Sequence, residues 1–218
     1  MQNPLLFLLM PRIIFEDIKS KPRWIIPFIL VVIGLITINW LDSCWRAQSL
    51  TFNIRILAMV SISMTILILL SWSFISTFLY WAIVVIKTDA VTSYKAIFSV
   101  ITYCGVIFLL GEITNSLLIH ARLIDHTQYT LPDRFPLGLD ILILGKTPHP
   151  AWTILLYSIN PFTIWYMAVL SIGLSTVIGL SKTKSIILSI LVWFIVVGFV
   201  LGVLVITGGT KISIRIGM

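Results

Sequence analysis

Two long apolar runs separated by four residues constrain this chain more than anything else in it. NPFTIWYMAVLSIGLSTVIGL (160–180) is followed by SKTK (181–184) and then by SIILSILVWFIVVGFVLG (185–202). A connection that short between two membrane-length helices forces an antiparallel hairpin. Its turn must face water, because Lys182 and Lys184 are costly inside hydrocarbon. Ser171, Ser175 and Gly179 recur every four residues and share one helix face, as do Gly198 and Gly202 on the second helix. Small residues at that spacing let helix backbones approach closely where lipid is as apolar as the helices themselves. These two faces are therefore candidate packing surfaces.

Composition agrees with a membrane protein. The 218 residues are 59% hydrophobic and 11% charged, against about 25% charged in a typical soluble domain. The net charge of +7 comes from basic residues scattered at the ends of apolar runs, where they anchor spans. No basic stripe exists that would bind nucleic acid. Cys104 falls within a span and reads as a small apolar filler; Cys44 lies in a short loop, and the two show no metal-ligand spacing.

Read in order, residues 1–23 form an amphipathic segment. Ile14, Phe15 and Ile18 make one side of a short helix apolar, while Arg12, Glu16, Asp17 and Lys19 make the other side charged. That pattern suits a helix lying on the membrane surface. Residues 24–218 form the membrane domain. The first span is expected over Trp24–Leu41, with Trp24 and Trp40 at its ends. The second lies within the charge-free run Ile56–Ile86, which as a helix is roughly 46 Å long and exceeds the ~30 Å bilayer core. Ser61, Thr65, Ser73 and Ser76 fall near one stripe of it. The third span is expected over Ala96–Ile119. A long connection to Trp152 contains His120, His126, His149 and a short apolar stretch, Leu137–Leu144, suited to an interfacial or re-entrant piece. The fourth span has a lead-in at Thr153–Ile159, a break at Asn160-Pro161 and a main part ending near Leu180; the fifth covers Ser185–Ile206. The fold class is thus all-α, a bundle of five transmembrane helices with an amphipathic N-terminal helix. Positive charge is densest in residues 1–23, 87–95 and 181–184, which places the N-terminus in the cytoplasm and the C-terminus outside.

Several stretches together resemble the Yip domain family (Ypt/Rab-interacting proteins), small five-span membrane proteins. PRIIFEDIKSKPRWIIPFIL (11–30) is similar to the family's approach to span one, and SYKAIFSVITYCG (93–105) to the start of span three. NPFTIWYMAVLSIGLSTVIGLSKTKSI (160–186) is similar to its most recognisable region. The resemblance covers nearly the full length. About 23 residues precede the first span, without the DLYGP-type motif of larger members, so it is the compact, prokaryote-like form that the chain resembles. The resemblance implies a non-enzymatic protein of a prokaryotic cell membrane, acting as an adaptor or accessory subunit in trafficking, membrane organisation or export. The partners it implies are membrane lipids and other integral membrane proteins, an ABC-type exporter among them, or further copies of the chain.

Glu112 is the one acidic residue well inside a span. An ionisable group there is a functional candidate because burying it unpaired costs several kcal/mol, on the order of 2–4. Asn115 shares its face, and Asn39, His120 and Asn160 are expected at the same membrane end. This cluster could form the polar site of a small-molecule or ion transporter. With no basic partner in the spans, a structural lock within the bundle is the preferred reading of Glu112. The histidines lack metal spacing, and no GxSxG, P-loop or GxGxxG occurs, so neither catalytic residues nor a cofactor or metal are expected. Phe162 and Trp165 are expected to anchor the start of the fourth helix.

Overall fold

The computed structural model describes residues 10–46, 54–86, 93–120, 138–139 and 150–206. The described residues form seven helices and no strand: α1 (Pro11–Ser20), α2 (Ile25–Arg46), α3 (Ile54–Ile86), α4 (Tyr94–His120), α5 (Pro150–Tyr157), α6 (Pro161–Ile178) and α7 (Lys182–Ile206). Within α3, α4, α6 and α7 lie stretches long and apolar enough to cross a membrane; the apolar stretch of α2, Ile25–Ile38, is shorter. This is a helical membrane bundle.

The bundle is built around α4. Helices α6, α2, α3 and α1 all pack on it. Of its apolar window, 67% is buried, against 22% to 28% in the other three. Ile97, Ile101, Cys104 and Ile107 are fully enclosed. Ser99 and Thr102, also buried, donate to the carbonyls of Lys95 and Phe98 at 2.8 and 2.7 Å. A hydroxyl that bonds back onto its own helix brings no orphaned polar group into the core. The same device serves Ser76 on Trp72 and Ser189 on Ser185. These four hydroxyls complete their own helices, whereas the Tyr94 hydroxyl reaches across to Ser73 O of α3 at 3.3 Å.

Each main crossing onto α4 contains a glycine. A Cβ on Gly34 of α2 would stand 2.6 Å from Leu109, one on Gly105 of α4 would meet the Trp72 ring of α3, and one on Gly173 of α6 would stand 2.5 Å from Val100. A side chain at any of these points would have to displace its neighbour, and without one the helices pack close. Edge-to-face rings continue the packing at one end: Trp24 meets Phe98 at 5.2 Å, and Phe28 meets Trp72 at 5.7 Å. Trp24 thus joins an internal aromatic cluster as well as marking the end of the first span.

Two expectations change in detail. The hairpin turn lies at Gly179–Ser181, and Lys182 and Lys184 belong to the first turn of α7. Gly179 ends α6 in the left-handed conformation (φ 73°), with its N–H donating to Ser175 O at 3.1 Å. A residue with a Cβ is disfavoured there, which explains the glycine as a helix stop. The second change concerns α1. Its apolar residues Ile14, Phe15 and Ile18 do not face lipid; they are buried against α6 and α4. An amphipathic stripe fits a protein groove as well as a bilayer surface, so the pattern alone could not separate the two. Of the apolar stretch Leu137–Leu144 only 138–139 are described, with Leu139 N–H donating to Ile159 O at 3.2 Å.

Candidate functional site

The break in the fourth span is a built feature. Asn160 is extended (φ −139°, ψ 164°), as the residue before a proline should be, and Pro161 opens α6 at a position that needs no N–H. The Asn160 side-chain oxygen accepts from Thr163 N–H at 2.9 Å, while its amide donates to Tyr157 O at 3.3 Å. One buried side chain therefore caps α6 and closes the end of α5. Trp193 of α7 donates to Ser158 O at 3.3 Å and fixes the break against the last helix. Asn160→Ala should cost about 1 kcal/mol, the usual value of such a cap, and lower the melting temperature by about 2–4 °C. Asn160→Ser, which keeps an acceptor, should recover most of the loss in the same thermal melt.

Glu112 and Asn115 lie on α4, both half-buried. Val100 faces Gly173 across the antiparallel α4–α6 pair. The Asn115 side-chain oxygen is shut off from the surface and has no hydrogen-bond partner among the described residues; the buried Ser185 hydroxyl is in the same position. The side chains of Asn39 and His120 lie outside the described set, as do His126 and His149. No group of metal-binding side chains occurs among the described residues.

The expected small-residue faces separate into different roles. Ser171 and Ser175 are half-buried and donate to Ala168 O and Ile172 O at 2.8 and 2.9 Å. They line a cleft. Gly179 is the helix stop already described. Gly198 and Gly202 have no described atom within 4 Å of where a Cβ would stand. Ile187, Leu191, Phe194, Gly198 and Gly202 follow at three- and four-residue steps and form one stripe. Its three large side chains are exposed, whereas Ser185, Leu188 and Val192 face the core. The glycine that does hold helices together, Gly173, sits two residues from Ser171 and Ser175 and belongs to no four-residue series. A lone glycine in a span is too common a signal to single out. Phe162 and Trp165 pair at 6.4 Å against the core, near the start of α6.

Helices of membrane length, one polar break and a glycine at each central crossing define a polytopic helical membrane protein. The family model of the Yip1 domain matches residues 5–204. The chain belongs to the Yip1 domain family. No curated protein and no solved structure matches it.

Proposed function

We propose that this protein is a non-catalytic membrane adaptor or accessory subunit, serving trafficking, membrane organisation or export, that binds other integral membrane proteins through α7. The observation that carries this reading is the outward stripe through Gly198 and Gly202, a small-xxx-small pair with no described helix against it. Close approach at such a pair gains packing and loses only lipid contact. Family membership supports a role without chemistry. An orientation with the N-terminus in the cytoplasm of a prokaryotic cell goes with this reading. It is supported by the charge pattern and by the shared membrane end of α1, the start of α4 and the α6–α7 turn.

Cross-linking in native membranes, followed by mass spectrometry of the purified product, tests the proposal. The wild type should bring down a membrane protein, an ABC-type exporter being one candidate, or a second copy of the chain. Gly198→Leu/Gly202→Leu should lose it without a change in melting temperature. Identical products from both proteins would overturn the reading.

The enclosed Asn115 oxygen beside Glu112 supports a second reading, a transporter or transporter subunit with its polar site on α4. There Glu112→Gln should abolish pH-dependent transport in proteoliposomes; unchanged flux would remove this reading.

A further inference from the structure

The charged side of α1 and the α6–α7 turn enclose a cleft of about 810 Å³. Three cations line it: Arg12 and Lys19 from α1, and Lys182 from the first turn of α7. The one carboxylate in the lining, Glu16, pairs with Arg12 at 3.3 Å within α1. Lys19 and Lys182 have no ion-pair partner among the described residues. The cleft therefore carries uncompensated positive charge.

Its position on α7 sharpens the point. A helix N-terminus carries partial positive charge and favours acidic residues. The first turn of α7 has no acidic residue and holds Lys182 and Lys184. Two cations at the positive end of a helix oppose the local rule, and an anion seated beside them would reverse the sign of that interaction. Ser181 adds a hydroxyl to the same rim.

The other wall is apolar. Leu180 is buried at the base, and Ile186 opens at 49% exposure onto the outer face of α7, where Ile190 follows one turn deeper. The apolar window of α7 begins at Lys182, so a bilayer around that window would bring its headgroups to the cleft. A cationic rim that continues into an apolar track matches a molecule with a phosphate at one end and hydrocarbon at the other. A free phosphate would leave the track unfilled.

We propose that this cleft binds the headgroup of an anionic phospholipid, its phosphate between Lys19 and Lys182 and its acyl chains running past Ile186 and Ile190. The bound lipid bridges α1 to the α6–α7 turn and strengthens the seat of the N-terminal helix. The surface is electrostatic, so its selectivity weakens with salt.

The test uses the full chain in nanodiscs of phosphatidylcholine, with and without phosphatidylglycerol, read by thermal melting and by native mass spectrometry. Phosphatidylglycerol should raise the melting temperature and be retained as one tightly held lipid. Lys19→Gln/Lys182→Gln should lower the preference for phosphatidylglycerol by about tenfold or more, since each cation near an anionic surface contributes appreciably. Lys95→Gln, an exposed cation at the same membrane end but outside the cleft, should keep the preference. Melting in pure phosphatidylcholine should be equal for all three proteins. The proposal is overturned if phosphatidylglycerol gives no preference, or if Lys95→Gln lowers it as much as the cleft variant does. It is also overturned if inorganic phosphate in phosphatidylcholine nanodiscs reproduces the stabilisation, because the ligand is then a free anion.

Discussion

Gly173→Leu is expected to dislodge the N-terminal helix from the bundle. At Gly173 three elements meet: a Cβ would stand 2.5 Å from Val100 of α4 and 2.9 Å from Phe15 of α1. Both neighbours are themselves buried, so neither can swing into open space. Adding even one methyl to a filled site forces shifts costing about 1–3 kcal/mol, and leucine adds four carbons. The weaker of the two contacts should give way. Helix α4 is held by four neighbours, whereas α1 is a ten-residue helix too short to be stable by itself in water. A cost of about 3 kcal/mol raises the undocked population roughly 100-fold. Trypsin cleavage after Arg12 and Lys19 should accelerate to match, and the thermal melt should broaden or fall. Gly198→Leu is the internal control: with no described atom within 4 Å, it should leave both measurements unchanged. Equal proteolysis of the two variants would mean that Gly173 is not the point on which α1 rests.

The contrast between those two glycines also explains how much of the fold could be read from the residues. The hairpin, the break at Asn160-Pro161 and the spans were legible because they depend on length, charge and proline geometry, which act locally. Helix ends moved by only a few residues, and Gly179 and Ser181 account for the shift at the turn. The central place of α4 was not legible. In water a helix shows its inner face by an apolar stripe. In a bilayer both sides are apolar, and the pattern that separates inside from outside disappears. Small residues remain as the one positional clue, and they are ambiguous. In the series Ser171, Ser175 and Gly179, two hydroxyls bond back onto their own helix and the glycine is a helix stop. Single glycines at 34, 105 and 173 mark close crossings onto α4. For the candidate site, the sequence identified Asn160 as a break and Glu112 as unusual. It could not foresee the double hydrogen bonding of Asn160 or the cleft beneath α1, since both depend on which helices become neighbours.

Phe15→Ala separates the two meanings of an amphipathic N-terminal helix. If α1 only rested on lipid, losing one ring would weaken membrane partition of the segment and leave the bundle intact. In this structure Phe15 is 0% exposed and packs in the same core as Ile97, Val100, Leu170 and Leu174. Removing it opens a cavity lined by α4 and α6, at a cost of about 3–5 kcal/mol. For a chain of this size each kcal/mol corresponds to about 2–4 °C, so the melting temperature should fall by roughly 6–20 °C. Ile13, on the same helix but 49% exposed, supplies the comparison. Ile13→Ala also removes apolar surface from the segment, though about half as many carbons, but leaves no cavity, and should change the melt by a degree or two at most, on the order of 0.5 kcal/mol. Equal, small effects from both substitutions would return α1 to the membrane surface. A large effect from Phe15 alone would establish it as an integral part of the bundle, held by the same α4–α6 crossing that Gly173 makes possible.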